Sequence, residues 1–254
     1  MSTHPTPQGR PRPRHRMVDR MATILDLAAR SSGGVTLTEF ARALEAPLSS
    51  VQGLVNGLVA TGYLEERDRK YSLGPAPFLL TRLTGRPAVT SVTHEDLVAL
   101  HAETGMTAVL AIVVGSDLYY VDYASSDARY AYLADSFVRR SLIRTSTGWI
   151  LLAGMEKRDL WTQINALPPS ETELVHRFLD ELPRIQREGI VAAPRASTEA
   201  DGVSVAVVED GTTVAAVGIM GGYDDVAERE QELISALTAR RAEWEARTAP
   251  GNGG

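Results

Sequence analysis

Residues 36–74 read TLTEFARALEAPLSSVQGLVNGLVATGYLEERDRKYSLG, two short helical patterns around a turn and then a charged hairpin. Thr36 and Glu39 have the T-x-x-E spacing of a capping box, and Phe40, Ala41 and Leu44 supply one apolar face to the helix that follows. The chain turns at Glu45 and Ala46, and Pro47 suits the first turn of a second helix. Val51, Leu54, Val55, Leu58 and Val59 recur there at i, i+3, i+4, i+7 and i+8, which predicts a single buried stripe. Ser49, Ser50, Gln52, Gly53 and Asn56 fall on the opposite face. Small hydrogen-bonding side chains on the outward face of a second helix are what reading a DNA major groove requires. Tyr63 and Leu64 pair with residues 71–73 in the expected hairpin, with residues 65–70 as its polar tip. Arg67, Arg69 and Lys70 on that tip suit phosphate contacts, which position a protein without reading sequence. Solvation of a turn explains the same charges equally well when the hairpin is taken alone.

Outward from this stretch, Val18, Met21, Ile24, Leu25 and Ala28 make a preceding helical stripe that ends at residues 31–34. Residues 16–74 thus form a winged helix-turn-helix unit, and residues 1–15 are expected to be a disordered basic tail. Gly74-Pro75-Ala76-Pro77 breaks the pattern, and residues 78–83 form a short linker helix before Gly85-Arg86-Pro87, so the linker spans 75–87.

Residues 88–247 read as α+β. Residues 93–104 are a helix stopped by Gly105, and strands 107–114 and 118–123 flank Gly115-Ser116-Asp117. A strand is expected at 129–133 and helices at 147–155 and 159–166. Ser170 and Glu173 have capping spacing for a further helix that Pro183 kinks or restarts. Apolar strands 203–208 and 214–220 surround Glu209-Asp210-Gly211, a charged amphipathic helix covers 226–247, and 248–254 is a disordered tail. Paired strands without strict strand-helix alternation predict an antiparallel sheet covered by helices.

Composition narrows the function. Residues 1–82 hold 11 basic and 7 acidic side chains, whereas the remainder carries a net charge of −10, so one end suits a polyanion. The absence of cysteine removes disulfides, thiolate nucleophiles and the common zinc frameworks, and a reducing cytoplasm is compatible with it. No apolar run is long enough to cross a bilayer, and the N-terminus lacks a secretory signal's apolar segment, so a cytoplasmic protein without a membrane partner is expected. His4, His15, His94, His101 and His176 have no H-E-x-x-H spacing, Ser146 has no G-x-S-x-G elbow, and the glycines at 218, 221 and 222 form no phosphate loop. Catalytic residues, metal ligands and cofactors are expected to be absent.

The chain from Arg16 to Arg247 resembles the IclR family of bacterial transcriptional regulators. The resemblance rests on VTLTEFARALEAPLSSVQGLVNGLVATGYL, the wing ending YSLG, TGMTAVLAIVVGSDLYYVD, RRSLIRTSTGWILLAG, REGI and VAAVGIMGG, in that order. It implies a winged helix-turn-helix joined by a linker helix to a GAF- or PAS-like effector domain. Such a protein is a homodimer or homotetramer that represses or activates transcription according to a small molecule, an organic acid or aromatic metabolite. Thr38, Ser49, Ser50, Gln52, Gly53, Asn56, Arg67, Arg69 and Lys70 are the expected contacts to double-stranded operator DNA. The effector pocket is expected between the sheet and the helix near Thr147, at Tyr132, Ile143, Thr145, Ser146, Thr147, Gly148, Ser204, Ala206, Gly218 and Met220.

Departures from the family pattern point to a different operator and a changed or lost ligand. Leu48 stands where a basic residue is common, and Gln52 and Gly53 where His, Tyr or Arg are. Residues 204–208 lack the proline of the usual Ala-Ala-Pro-Val run, and Ile143 and Arg144 replace the customary His. The alternatives to a ligand-controlled regulator are a DNA-bound scaffold whose sensor has lost its ligand, and an enzyme on the C-terminal domain.

Overall fold

A computed structural model describes residues 15–85, 87–192 and 200–248. The expected tails fall outside these residues, apart from His15 and Thr248. The chain divides into two compact units between Pro87 and Ala88.

In the N-terminal unit α1 (Arg16–Arg30) precedes β1 (Val35–Thr36), α2 (Leu37–Ala43) and α3 (Leu48–Ala60). The hairpin β2 (Leu64–Arg67) and β3 (Lys70–Leu73) follows, and then α4 (Ala76–Thr84). The capping box forms as its spacing requires: the Thr36 N–H donates to Glu39 Oε2 at 2.7 Å, and the Glu39 N–H donates to Thr36 Oγ1 at 3.3 Å. These bonds hold the Glu39 carboxyl below its ordinary pKa. Ile24, Phe40, Val51, Val55, Leu58 and Leu64 are buried together, so the stripes read from sequence close on one core. Tyr71 lies against Phe40 with ring centroids 6.1 Å apart.

Four features of this unit depart from expectation. The turn of the wing is only Asp68-Arg69, both with positive φ (51° and 60°), so Glu65, Glu66, Arg67 and Lys70 belong to the strands and not to a six-residue tip. Two left-handed residues make the twist that joins short antiparallel strands. Strand β1 adds an edge to the hairpin through Val35↔Tyr71 and Thr36↔Lys70. Pro47 is the N-cap of α3 and precedes its first turn. The linker helix starts at Ala76, because Pro77 occupies a first-turn position where a missing N–H costs nothing.

The C-terminal unit is built on a five-stranded antiparallel sheet of order β5-β4-β8-β7-β6. Its strands are β4 (Thr107–Val114), β5 (Asp117–Ala124), β6 (Ile190–Val191), β7 (Ala200–Glu209) and β8 (Thr212–Gly222). Alternation along β7 sends Val203, Val205 and Val207 to one face. There they pack with Leu97 and Leu100 of α5 (His94–Thr104), Val226 of α10 (Tyr223–Glu228), and Leu233, Leu237 and Trp244 of α11 (Glu230–Thr248). The other face meets α6 (Ala128–Asp135), α7 (Ser146–Ala153), α8 (Lys157–Asn165) and α9 (Thr172–Glu188), with Trp149 and Phe178 edge to face at 5.5 Å. The sheet is covered by helices on both faces.

Residues 129–133 are helical and not a strand, because the Asp127 side chain accepts the Arg129 N–H at 2.9 Å and caps α6. Helix α9 runs through Pro183 without restarting, since Phe178 and Ile185 on either side of it are buried in the core. Ser170 and Glu173 form no cap. A 3-10 turn at Pro169–Glu171 leads into α9, and Glu171 instead accepts the Arg144 guanidinium at 2.7 Å. The terminal helix is two, broken at Arg229.

Helix α11 is tied to α5 by a bidentate pair: Arg247 donates to Asp96 Oδ2 at 2.6 Å and to Oδ1 at 2.8 Å. Burial pushes the Asp96 carboxyl up, but the bonds from Arg247 and Thr93 outweigh it and set the pKa to about 2. A carboxyl whose folded pKa is depressed stabilises the fold above its unfolded pKa and loses that contribution as pH falls through the folded one. Between about pH 4 and pH 2 the chain should therefore lose on the order of 2 kcal/mol from this group. Urea titrations across that range check it, because Asp96→Asn should flatten the acid limb, and an unchanged limb would remove Asp96 from the explanation.

Candidate DNA interface and effector site

The fold leaves one face of α3 open. Ser49, Ser50, Gln52, Gly53 and Asn56 are all exposed there, while Val51, Val55 and Leu58 hold the other face in the core. A methyl group added at Gly53 or Gly57 would meet nothing within 4 Å, so internal packing does not require glycine at either position. Thr38 is exposed on the first turn of α2. Arg67, Arg69 and Lys70 are exposed on the wing, although Arg67 pairs with Glu65 at 3.3 Å and is already partly neutralised.

In the C-terminal unit the expected pocket residues converge on the start of α7. Thr145 caps the helix, its Oγ1 accepting the Gly148 N–H at 3.0 Å, and Trp149 Nε1 donates to the Ile143 carbonyl at 2.8 Å. Ser204 Oγ donates to Ser146 Oγ at 2.7 Å across the gap between β7 and α7. Gly218 makes that approach possible: a Cβ there would lie 2.7 Å from Thr147 Cγ2 and 2.9 Å from Ser204 Oγ. Ser146 and Ser204 thus touch directly, while Thr147 packs against Gly218 and Gly148 against the Leu142 backbone. Ile143 and Ala206 lie in the core, Met220 packs against it, and Tyr132 is 59% exposed on α6.

A cavity of about 280 Å³ lies on the same side of the sheet. It is bordered by Arg140, Ile143, Leu152 and Leu167, with Asp117 and Gln163 among its polar walls. Of the residues expected to line a pocket, only Ile143 borders it. Sequence reading passed over Arg140 and Tyr120. The signal for Arg140 was a basic pair, Arg139-Arg140, directly before an apolar helix. Tyr120 is 3% exposed on β5, its hydroxyl turned towards Arg140 and Thr147, and burial raises its pKa.

Among the described residues no group of three or more His, Asp or Glu side chains is placed to hold a metal, and no helix is long and apolar enough to cross a membrane. His94 Nδ1 meets Asp122 Oδ1 at 2.9 Å, and His101 Nδ1 meets the Met106 carbonyl at 2.7 Å.

Residues 17–68 match the family model of the IclR helix-turn-helix domain. No curated protein matches the sequence. Solved structures similar over nearly the whole chain include an IclR-family protein from Rhodococcus sp., 27% identical with a TM-score of 0.54, covering 94% of this chain and 95% of its own. An IclR family transcriptional regulator from Brucella abortus is 15% identical with a TM-score of 0.68, covering 91% of each chain. An IclR homolog from Microbacterium hydrocarbonoxydans, solved with 4-hydroxybenzoate, is 21% identical with a TM-score of 0.64, covering 91% of this chain and 99% of its own.

Proposed function

The chain carries an IclR helix-turn-helix domain within the fold of IclR-family transcriptional regulators, and we propose that it binds operator DNA as a homodimer under the control of a small-molecule effector. The observation that carries the reading is the open polar face of α3, on the same unit as a wing that exposes Arg69 and Lys70. Gln52 and Asn56 read base edges, Ser49, Ser50 and Thr38 bond phosphate or base, and Arg69 and Lys70 anchor the wing on phosphates.

One recognition helix reads few base pairs, so two copies are needed to address a pair of half-sites. Helix α4 supplies a surface suited to the second copy: Phe78, Leu79, Leu80 and Leu83 are 70%, 57%, 49% and 72% exposed on a nine-residue helix. So much apolar surface on one short helix marks an interaction site. For an effector to alter DNA binding it must prefer one arrangement of the dimer, since equal affinity for both shifts nothing.

The Ser146–Ser204 bond and the close approach at Gly218 favour a second reading, a scaffold whose sensor no longer takes a ligand, while the cavity beside Ile143 favours the first. Titrating labelled duplex from the protein's own upstream region against random duplex, at low ionic strength, tests DNA recognition. Preference for the upstream duplex is expected, and its absence would remove the regulatory reading. Because the Microbacterium relative was solved with 4-hydroxybenzoate, that acid is the first compound to add to the titration. A change in duplex affinity on its addition supports ligand control.

A further inference from the structure

We propose that Leu48 is a base-reading residue, its side chain taking the C5-methyl group of a thymine in the major groove, and that α3 accordingly selects half-sites whose contacted pairs are A·T. The assignment rests on the operator-binding reading of α3 and narrows it to a class of DNA sequence.

Leu48 is the first residue of α3, directly after the Pro47 N-cap. Spacings of i+3 and i+7 to Val51 and Val55 would admit it to the buried stripe. Those two valines are fully buried, but Leu48 is 49% exposed and is not among the residues that build the core of its unit or pack against it. The core therefore stops a turn short of it. Leu48, Gln52 and Asn56 are spaced i, i+4 and i+8, so they form one row along the helix, and all three are exposed. The adjoining row, Ser49, Gly53 and Gly57, carries no side chain longer than that of serine, which lets the helix approach base edges closely.

The chemistry of the reading row selects the base pair. None of the 13 residues of α3 is charged. Guanine is ordinarily read by an arginine or lysine that reaches O6 and N7, and cytosine by a carboxylate that accepts from N4, so the helix lacks the usual partners of a G·C pair. What it exposes instead are two amides, Gln52 and Asn56, and a branched alkyl group at its leading end. An amide donates and accepts side by side, which matches the N7 acceptor and N6 donor of adenine. The apolar mark in the major groove is the methyl group of thymine. Amides and alkyl group together thus describe the two sides of an A·T pair. The N-terminal residues of a recognition helix are those that reach base edges, and Leu48 is the first of them.

The test starts from duplexes that the full wild-type chain selects from a random pool. In the enriched duplex each thymine is replaced in turn by deoxyuridine, which removes the C5-methyl group and nothing else, and affinities are measured for wild type and Leu48→Ala. One thymine in each half-site should be sensitive. Deoxyuridine there should weaken wild type about fourfold, the worth of one buried methyl group, and about fifteenfold when both half-sites are changed. Leu48→Ala should bind the thymine and deoxyuridine duplexes alike, while keeping the demand for adenine at the pairs read by Gln52 and Asn56. At the sensitive position 5-methylcytosine should bind wild type better than cytosine, because it restores the methyl group alone.

Leu48→Ala should also keep the wild-type Tm and oligomeric state, and a change in either would place Leu48 in the fold or in a contact between copies and overturn the assignment. So would a duplex in which no thymine is sensitive, a sensitivity that persists in Leu48→Ala, or an enriched motif whose α3-dependent positions are G·C. In each of those cases wild type still selects a motif, and operator recognition stands. Selection of no motif at low ionic strength would instead remove operator recognition, and the assignment with it.

Discussion

Gly148→Ala should destabilise the C-terminal unit by about 3 kcal/mol or more. A Cβ on this residue would lie 2.0 Å from the Leu142 carbonyl oxygen and 2.6 Å from its carbon. Those are backbone atoms, so no rotamer change relieves the clash. The opposing segment cannot retreat cheaply either, because the Ile143 carbonyl accepts from Trp149 and Thr145 caps the same helix. Either the first turn of α7, which carries Ser146 and Thr147, or the chain before it must give way. The three tryptophans, Trp149, Trp161 and Trp244, all lie in this unit, so urea unfolding followed by tryptophan fluorescence reports it directly. Gly53→Ala is the contrast: with nothing within 4 Å, it should stabilise α3 by about 1 kcal/mol. A Gly148→Ala midpoint equal to wild type would show that α7 does not pack on its lead-in segment as described.

The second large effect is on sequence discrimination. Gln52→Ala and Asn56→Ala should each cost about 1 to 3 kcal/mol at one or two base positions, and together on the order of 4 kcal/mol, about a thousandfold in preference. Lys70→Ala should weaken every duplex alike and reduce the salt dependence, because a phosphate contact carries no sequence information. Affinity measured on a panel of single-base operator variants separates these outcomes. Uniform weakening by all three substitutions would mean that α3 presents a different face to DNA.

The parts of this fold that were legible in the sequence are those fixed by local chemistry. Thr36 and Glu39 are three residues apart and close their cap whatever surrounds them. The α3 stripe and the Asp210-Gly211 turn are likewise set by neighbours in sequence. What escaped depends on residues far apart or on competing local signals. The short run Tyr130-Ala131-Tyr132-Leu133 suggests a strand, yet one Asp127 side chain tips the segment into a helix. Pro183 suggests a break, but burial of Phe178 and Ile185 holds α9 together across it. Arg140 meets Tyr120 only because β5 and the segment before α7 are bridged, a pairing with no local signature.

The central claim, that the outward face of α3 reads DNA in a symmetric complex, is tested most directly by selecting bound sequences from a pool of random duplexes with wild type and Gln52→Ala side by side. Wild type should enrich a motif of two inverted half-sites about one helical turn, or a whole multiple of it, apart. The variant should enrich the same motif with the requirement relaxed at one or two positions in each half. A wild-type selection that yields no motif at low ionic strength, or a Gln52→Ala motif identical to wild type at every position, would contradict it.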